Sequence, residues 1–94
     1  MKIEGEKLLE RKLGVEIKKL GGLSIKLWPT IAGLPDRLCL LPGAKIFFAE
    51  IKTTGEEPKL LQKVVHRQLR KLGFRVEVID RTEQINDLIK ELKC

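Results

Sequence analysis

Apolar residues recur every three or four positions between 6 and 20, where Leu9, Leu13, Ile17 and Leu20 form one stripe followed by Gly21-Gly22. That spacing predicts an amphipathic helix closed by glycine. Residues 23–28 then predict a first strand. Residues 37–41 and 45–52 are rich in branched and aromatic side chains and are split by Pro42-Gly43-Ala44, which predicts a β-hairpin. The polar turn 53–58 leads into a helix over about 59–72 whose apolar positions are Leu60, Leu61, Val64, Val65, Leu69 and Leu72. Gly73-Phe74 ends it. A strand over 75–79 sets Val76 and Val78 on one side, and a last helix begins at 80–82 and runs through Leu92, with Ile85, Leu88, Ile89 and Leu92 at helical spacing. The order α-β-β-β-α-β-α predicts an α/β fold, a mixed sheet flanked by helices, with the second helix crossing over between the third and fourth strands. No repeat, low-complexity segment or linker interrupts the pattern, so residues 1–94 read as one domain.

The hairpin carries the chemistry. With Pro42-Gly43-Ala44 as the loop and Leu41 paired with Lys45, Leu40 faces Ile46, Leu38 faces Phe48 and Asp36 faces Glu50. Residues two apart share a side of a strand, so Lys52 joins Asp36 and Glu50, and the apolar pairs are expected to continue that face into the core. A loop one residue longer or shorter would set Asp36 against Ile51 and scatter the cluster. Two carboxylates held this close repel unless a cation lies between them, and such oxygen ligands suit Mg²⁺ or Mn²⁺ better than zinc. Phosphodiester hydrolysis is the chemistry that two acids, a divalent cation and a lysine fit best. A surface salt bridge between an edge lysine and two acids is the plainer alternative, because a Glu-x-Lys on a strand is common.

Several ordered motifs decide between them. Gly33-Leu34-Pro35-Asp36-Arg37, Leu40-Leu41-Pro42-Gly43, Phe48-Ala49-Glu50-Ile51-Lys52, Leu61-Gln62 and Leu69-Arg70-Lys71-Leu72-Gly73-Phe74-Arg75-Val76 follow one another, preceded by Glu10-Arg11-Lys12-Leu13 and Lys18-Lys19-Leu20-Gly21-Gly22. This succession resembles the stand-alone VRR-NUC domain nucleases of the PD-(D/E)xK superfamily, over nearly the whole chain. The resemblance implies a restriction-endonuclease-like core and a Mg²⁺- or Mn²⁺-dependent endodeoxyribonuclease. It implies that Asp36 and Glu50 bind metal, that Lys52 is the catalytic lysine, that Glu10 is an acid supplied by the first helix and that Gln62 is the glutamine early in the helix after the hairpin. Glu6 and Glu16 also border the first stripe, and only motif position favours Glu10. The backbone carbonyl of Ile51 faces the same edge and is a candidate to complete the metal shell, with Lys52 and Gln62 positioning the attacking water. Stand-alone members resemble Holliday-junction resolvases, which implies branched DNA as partner and a homodimer. One stretch departs from the pattern: Trp28-Pro29-Thr30-Ile31-Ala32 is more apolar than the basic, glycine-rich loop of the family.

Charge is consistent with a polyanionic partner without identifying one. The chain has 94 residues, a formal charge of +6 and 34% charged residues. Lys59, Lys63, His66, Arg67 and Arg70 lie on the non-apolar faces of the second helix, and Lys26 lies near the start of the loop leading to Asp36. These are the candidate DNA-binding residues, against the alternative of a solvated helix face. His66, one turn from Gln62, reads as a phosphate or packing contact, since no orienting partner for a general base is evident. Trp28 has two readings, stacking on an unpaired base or packing in the core or an interface. Cys39 in a strand reads as a small apolar residue and Cys94 as exposed and free; neither has a partner at zinc-ligand spacing and His66 is the only histidine, which argues against a Cys/His zinc site. No run is long enough to span a membrane and the N-terminus lacks a signal-peptide core, so the expected location is the cytoplasm of a bacterial or phage-infected cell. A catalytically silent nucleic-acid-binding module, or a nuclease for RNA or DNA ends, remains an alternative.

Overall fold

The computed structural model describes residues 2–28 and 30–93. Its elements are α1 (Glu6–Lys19), β1 (Leu23–Lys26), β2 (Arg37–Leu41), β3 (Lys45–Ile51), α2 (Leu60–Lys71), β4 (Arg75–Ile79) and α3 (Thr82–Lys93), in the predicted order. The sheet runs β1-β2-β3-β4. The first three strands are antiparallel and β4 is parallel to β3, so α2 makes the crossover that a parallel pair requires. The hairpin register is the predicted one: Leu41 opposes Lys45, Leu40 opposes Ile46, and Leu38 opposes Phe48.

Glycine sets where α1 ends. Gly21, at φ +85, donates its amide to the Lys18 carbonyl, and Gly22 donates to that of Ile17, which satisfies carbonyls the helix would leave orphaned. A side chain at Gly22 would run into the Leu40 carbonyl, so glycine also lets the end of α1 approach β2. Leu9, Leu13 and Ile17 are thereby laid across the sheet against Cys39, Leu41, Phe47, Ala49 and Ile51, and α3 adds Ile85, Leu88 and Ile89. Truncating a fully buried aromatic such as Phe47 to alanine would cost about 3–5 kcal/mol.

The core therefore lies on the face opposite to the one expected. The sheet residues buried by α1 and α3 are the alternates Cys39, Leu41, Phe47, Ala49 and Ile51, whereas Leu38, Leu40 and Phe48 are half-buried and Ile46 is 41% exposed. Two helices cover one face, while on the other α2 is paired with β4 and leaves β1 and β2 open. The apolar stripe of α2 is accordingly shallow: Val65 and His66 are buried, but Leu60 is 79% exposed and Leu61, Val64 and Leu72 are exposed too. β1 ends at Lys26, two residues short of the predicted 28, and Leu27 beyond it still donates its amide to the Asp36 carbonyl at 2.8 Å. Trp28 is 77% exposed, which rules out a core role, and the Lys26 Nζ lies 5.7 Å from its ring centroid. Pro29 and Cys94 are outside the described residues; Cys39 is fully buried as expected.

Two tertiary ties hold the chain around the hairpin. Gly33, at φ +89, packs so closely on α2 that a Cβ there would sit 2.8 Å from the Leu61 carbonyl oxygen and 2.9 Å from Val65 Cγ2. At the N-terminus, Glu4 caps α3 from the far end of the sequence. Its carboxylate accepts the Thr82 amide at 2.8 Å and the Thr82 hydroxyl, while its own amide donates to Thr54 Oγ1 at 2.9 Å. Thr54 in turn donates to the Asp80 carbonyl at 2.6 Å.

Candidate active site

The β2–β3 ladder ends at the pair Arg37 and Ala49. Backbone amides alternate sides along a strand. Lys52 donates its amide toward β4, to the Ile79 carbonyl at 2.9 Å, so the Ile51 amide points the other way, past the end of β2. Asp36 fills that gap: its Oδ2 accepts the Ile51 amide at 2.9 Å. An amide that would have gone unpaired thus holds the aspartate at the strand end. Glu50, the residue before Ile51, projects to the α2 side of the sheet.

Glu50 is 1% exposed. Its Oε2 lies 3.4 Å from Lys52 Nζ and accepts a hydrogen bond from Gln62 Nε2 at 3.1 Å. Its Oε1 is buried without a hydrogen-bond partner, and His66 Nε2, itself unpartnered, stands 3.7 Å away. Burial first, and then the charge of Asp36, push the Glu50 carboxyl up to about 7, with Lys52 pulling the other way. His66 is 2% exposed, and burial with the nearby Arg70 and Lys52 charges lowers its pKa, so it is a neutral imidazole near neutral pH and no counter-ion for Glu50.

Gln62 is oriented by the helix it begins. Its Oε1 accepts the Lys59 amide at 2.8 Å, one of the donors that a helix start leaves free, and this turns Nε2 toward Glu50. Gln62, expected beside Lys52 as a water-positioning group, bonds here to the carboxylate that Lys52 also approaches.

Not every candidate converges. Glu10 accepts a hydrogen bond from Arg37 at 3.2 Å, on the sheet face that α1 covers, whereas Glu50 lies on the other. Among the described residues no group of three or more His, Cys, Asp or Glu side chains is arranged to hold a metal ion. The side chains brought together are Asp36, Glu50, Lys52, Gln62 and His66. His66, 2% exposed, faces Glu50 from within the fold. Arg70 donates to the Val76 carbonyl at 2.8 Å and ties α2 to β4, and Lys63 pairs with the exposed Glu57 at 3.4 Å. Lys59, Arg67 and Lys26 are exposed. Lys63, Arg67, Arg70 and His66 line a groove of about 630 Å³ beside the Glu50 cluster. The approach of His66 and Gln62 to Glu50 joins α2 to β3, which the periodicity of a single element does not record; the i, i+4 spacing of the two was the available signal.

A buried carboxylate oxygen with no donor, next to a second carboxylate, is the environment a hard cation completes. Two carboxylates with water or carbonyl oxygens also suit Mg²⁺, which keeps several waters and takes few protein ligands.

No family model matches the sequence. "Putative nuclease p44" of Acyrthosiphon pisum secondary endosymbiont phage 1 is 41% identical over 81 residues, spanning 85% of this chain and 87% of that protein. A solved structure described as a VRR_NUC domain superposes with a TM-score of 0.85 at 32% identity, covering 90% of this chain and 94% of that one. The mixed four-stranded sheet with three helices is thus the restriction-endonuclease-like architecture. Together with the Asp36, Glu50 and Lys52 cluster at the end of the hairpin, these likenesses establish that the chain belongs to the VRR-NUC nuclease family.

Proposed function

We propose that this nuclease is a Mg²⁺-dependent endodeoxyribonuclease that hydrolyses phosphodiester bonds in branched or Holliday-junction DNA, acting as a homodimer in the cytoplasm of a bacterial or phage-infected cell. The observation that carries the chemistry is the unpartnered Oε1 of buried Glu50 beside Asp36, with Lys52 Nζ 3.4 Å from Oε2. Asp36 and Glu50 would hold Mg²⁺, with Mn²⁺ as a substitute and the Ile51 carbonyl as a further ligand. When bound, the cation supplies charge stabilisation at the phosphoryl oxygens and a more acidic water. Lys52 places its ammonium at the site edge, where it offsets charge developing on the phosphate. Gln62 keeps Glu50 aimed, through its hydrogen bond to Oε2. Glu10 serves this arrangement through Arg37, the residue next to Asp36, and a direct role as a metal ligand would require it to leave that partner.

Leu23, Ile25 and Ile46 favour the dimer. All three are exposed on the sheet face that α2 leaves open, Leu23 and Ile25 on the edge strand β1 and Ile46 at the start of β3, where a two-fold related copy would cover them. Cleavage of labelled four-way junction, flap, linear duplex and single-stranded DNA with Mg²⁺, Mn²⁺ or EDTA tests the activity, beside Asp36→Ala and Lys52→Ala proteins. Paired metal-dependent nicks in the junction, absent from both variants, are the expected result. DNA bound but uncut at saturating Mg²⁺ would indicate a silent module, and cutting confined to ends or to RNA would overturn the junction assignment. Sedimentation equilibrium gives the oligomeric state.

A further inference from the structure

One row of side chains on α1 is not used by the site described above. Lys7, Arg11, Gly14 and Lys18 follow one another at steps of four, three and four, so they stand in line along the helix. With Arg37 they line a groove of about 800 Å³ between α1 and the edge strand β1. Its position is informative. Arg37 marks the end of β2 next to Asp36, and Leu23, opposite Leu40, lies toward the other end, so the groove leads away from the acidic site along the sheet face opposite to Glu50.

Its charge is one-sided. Glu10 is the single acid in the lining and is committed to Arg37, and Lys7, Arg11 and Lys18 form no ion pair among the described residues. The row from Lys7 to Lys18 is about 16 Å long, enough to follow several consecutive phosphates of one strand. Gly14 adds a separate observation. A Cβ there would meet nothing within 4 Å, so the packing of the fold gives no reason for glycine in the middle of a helix, where it weakens the helix. Its missing side chain leaves a low point between Arg11 and Lys18 where a backbone can approach closely.

We propose that this α1 groove is a second phosphate-backbone tract, which takes the DNA strand leaving the active site on the α1 side while the groove along α2 takes the other. The inference rests on the reading of the substrate as DNA. The test is fluorescence anisotropy in EDTA with a labelled duplex of roughly 20 base pairs, about twice the 34 Å longest extent of the protein. Four proteins are compared across a salt series: wild type, Lys7→Gln/Arg11→Gln/Lys18→Gln, Gly14→Gln, and Lys63→Gln/Arg67→Gln. The triple variant is expected to bind about tenfold or more weakly, with the slope of log affinity against log salt reduced by about 2 to 3. Gly14→Gln leaves the charge unchanged and favours the helix, so it is expected to melt higher and still bind about threefold or more weakly. Wild-type affinity and slope in both α1 variants, with a loss in Lys63→Gln/Arg67→Gln, would overturn the tract while leaving the DNA reading intact. Absence of salt-dependent binding by wild type would bring down both.

Discussion

Gln62 donates from Nε2 to the buried Glu50 Oε2 at 3.1 Å while its Oε1 accepts the Lys59 amide at 2.8 Å, so one side chain both starts α2 and aims the carboxylate of β3. Helix and active strand are coupled through a single amide. Gln62→Ala removes both bonds and is expected to lose about 1 kcal/mol of stability and about tenfold to hundredfold in Mg²⁺ affinity or rate, as for other partners of ligating groups. Gln62→Glu keeps the acceptor for Lys59 but sets a carboxylate against Glu50, so it should hold the helix start, lose stability as pH rises and not recover activity. Thermal melts and the Mg²⁺ dependence of cleavage separate the two effects; an alanine variant with wild-type metal dependence would refute the brace.

Glu50 makes the metal-free protein sensitive to base. Its folded value of about 7 lies above the ordinary 4.5, so between these the folded state holds a proton that the unfolded state has lost. Stability of the metal-free protein therefore falls as pH rises from about 4.5 to about 7, and the penalty is complete above that. Glu50→Gln is expected to abolish cleavage yet raise stability at pH about 8 by on the order of 1–3 kcal/mol. Urea unfolding at pH about 5 and about 8, with and without Mg²⁺, checks this, with Mg²⁺ expected to protect wild type and not the variant. Parallel pH profiles for the two proteins would contradict it.

Glu4 acts in the opposite sense. The Thr82 hydroxyl and amide hold its carboxyl below the usual range, so its contribution is complete above the ordinary value of 4.5 and is lost as pH falls through the lower folded value. Glu4→Gln should lower the melting temperature at neutral pH and leave less to lose on acidification. Amide hydrogen exchange should report early opening at the start of α3. A variant whose acid denaturation midpoint matches wild type would dismiss the tie.

Gly33 packs the 30–35 loop against α2. Gly33→Ala must fit a Cβ 2.8 Å from the Leu61 carbonyl oxygen in a left-handed conformation, and is expected to cost about 1–3 kcal/mol. Because Asp36 follows this loop, cleavage should fall further than stability alone explains, at temperatures where the variant is fully folded by circular dichroism. Unchanged activity in a folded variant would separate the loop from the site.

Much of this protein is set by local pattern. The helical stripe Leu9, Leu13, Ile17, the glycine stops at Gly21 and Gly73, and the hairpin punctuation of 42–44 each follow from neighbours in sequence, so element order and the register that sets Asp36 at the end of the ladder were legible without coordinates. Strand alternation also implied that Glu50 and Lys52 share a face. It carried no information on which face two helices would cover, and the core fell on the side opposite to the one expected, because that depends on where α1 and α3 dock. The same is true of Glu10, which reaches from α1 to Arg37 on β2, of His66, turned inward against Glu50, and of Glu4, which caps a helix that starts at Thr82. Periodicity is a property of one element, whereas these contacts join elements far apart in the chain, and only their packing brings the partners within hydrogen-bond reach.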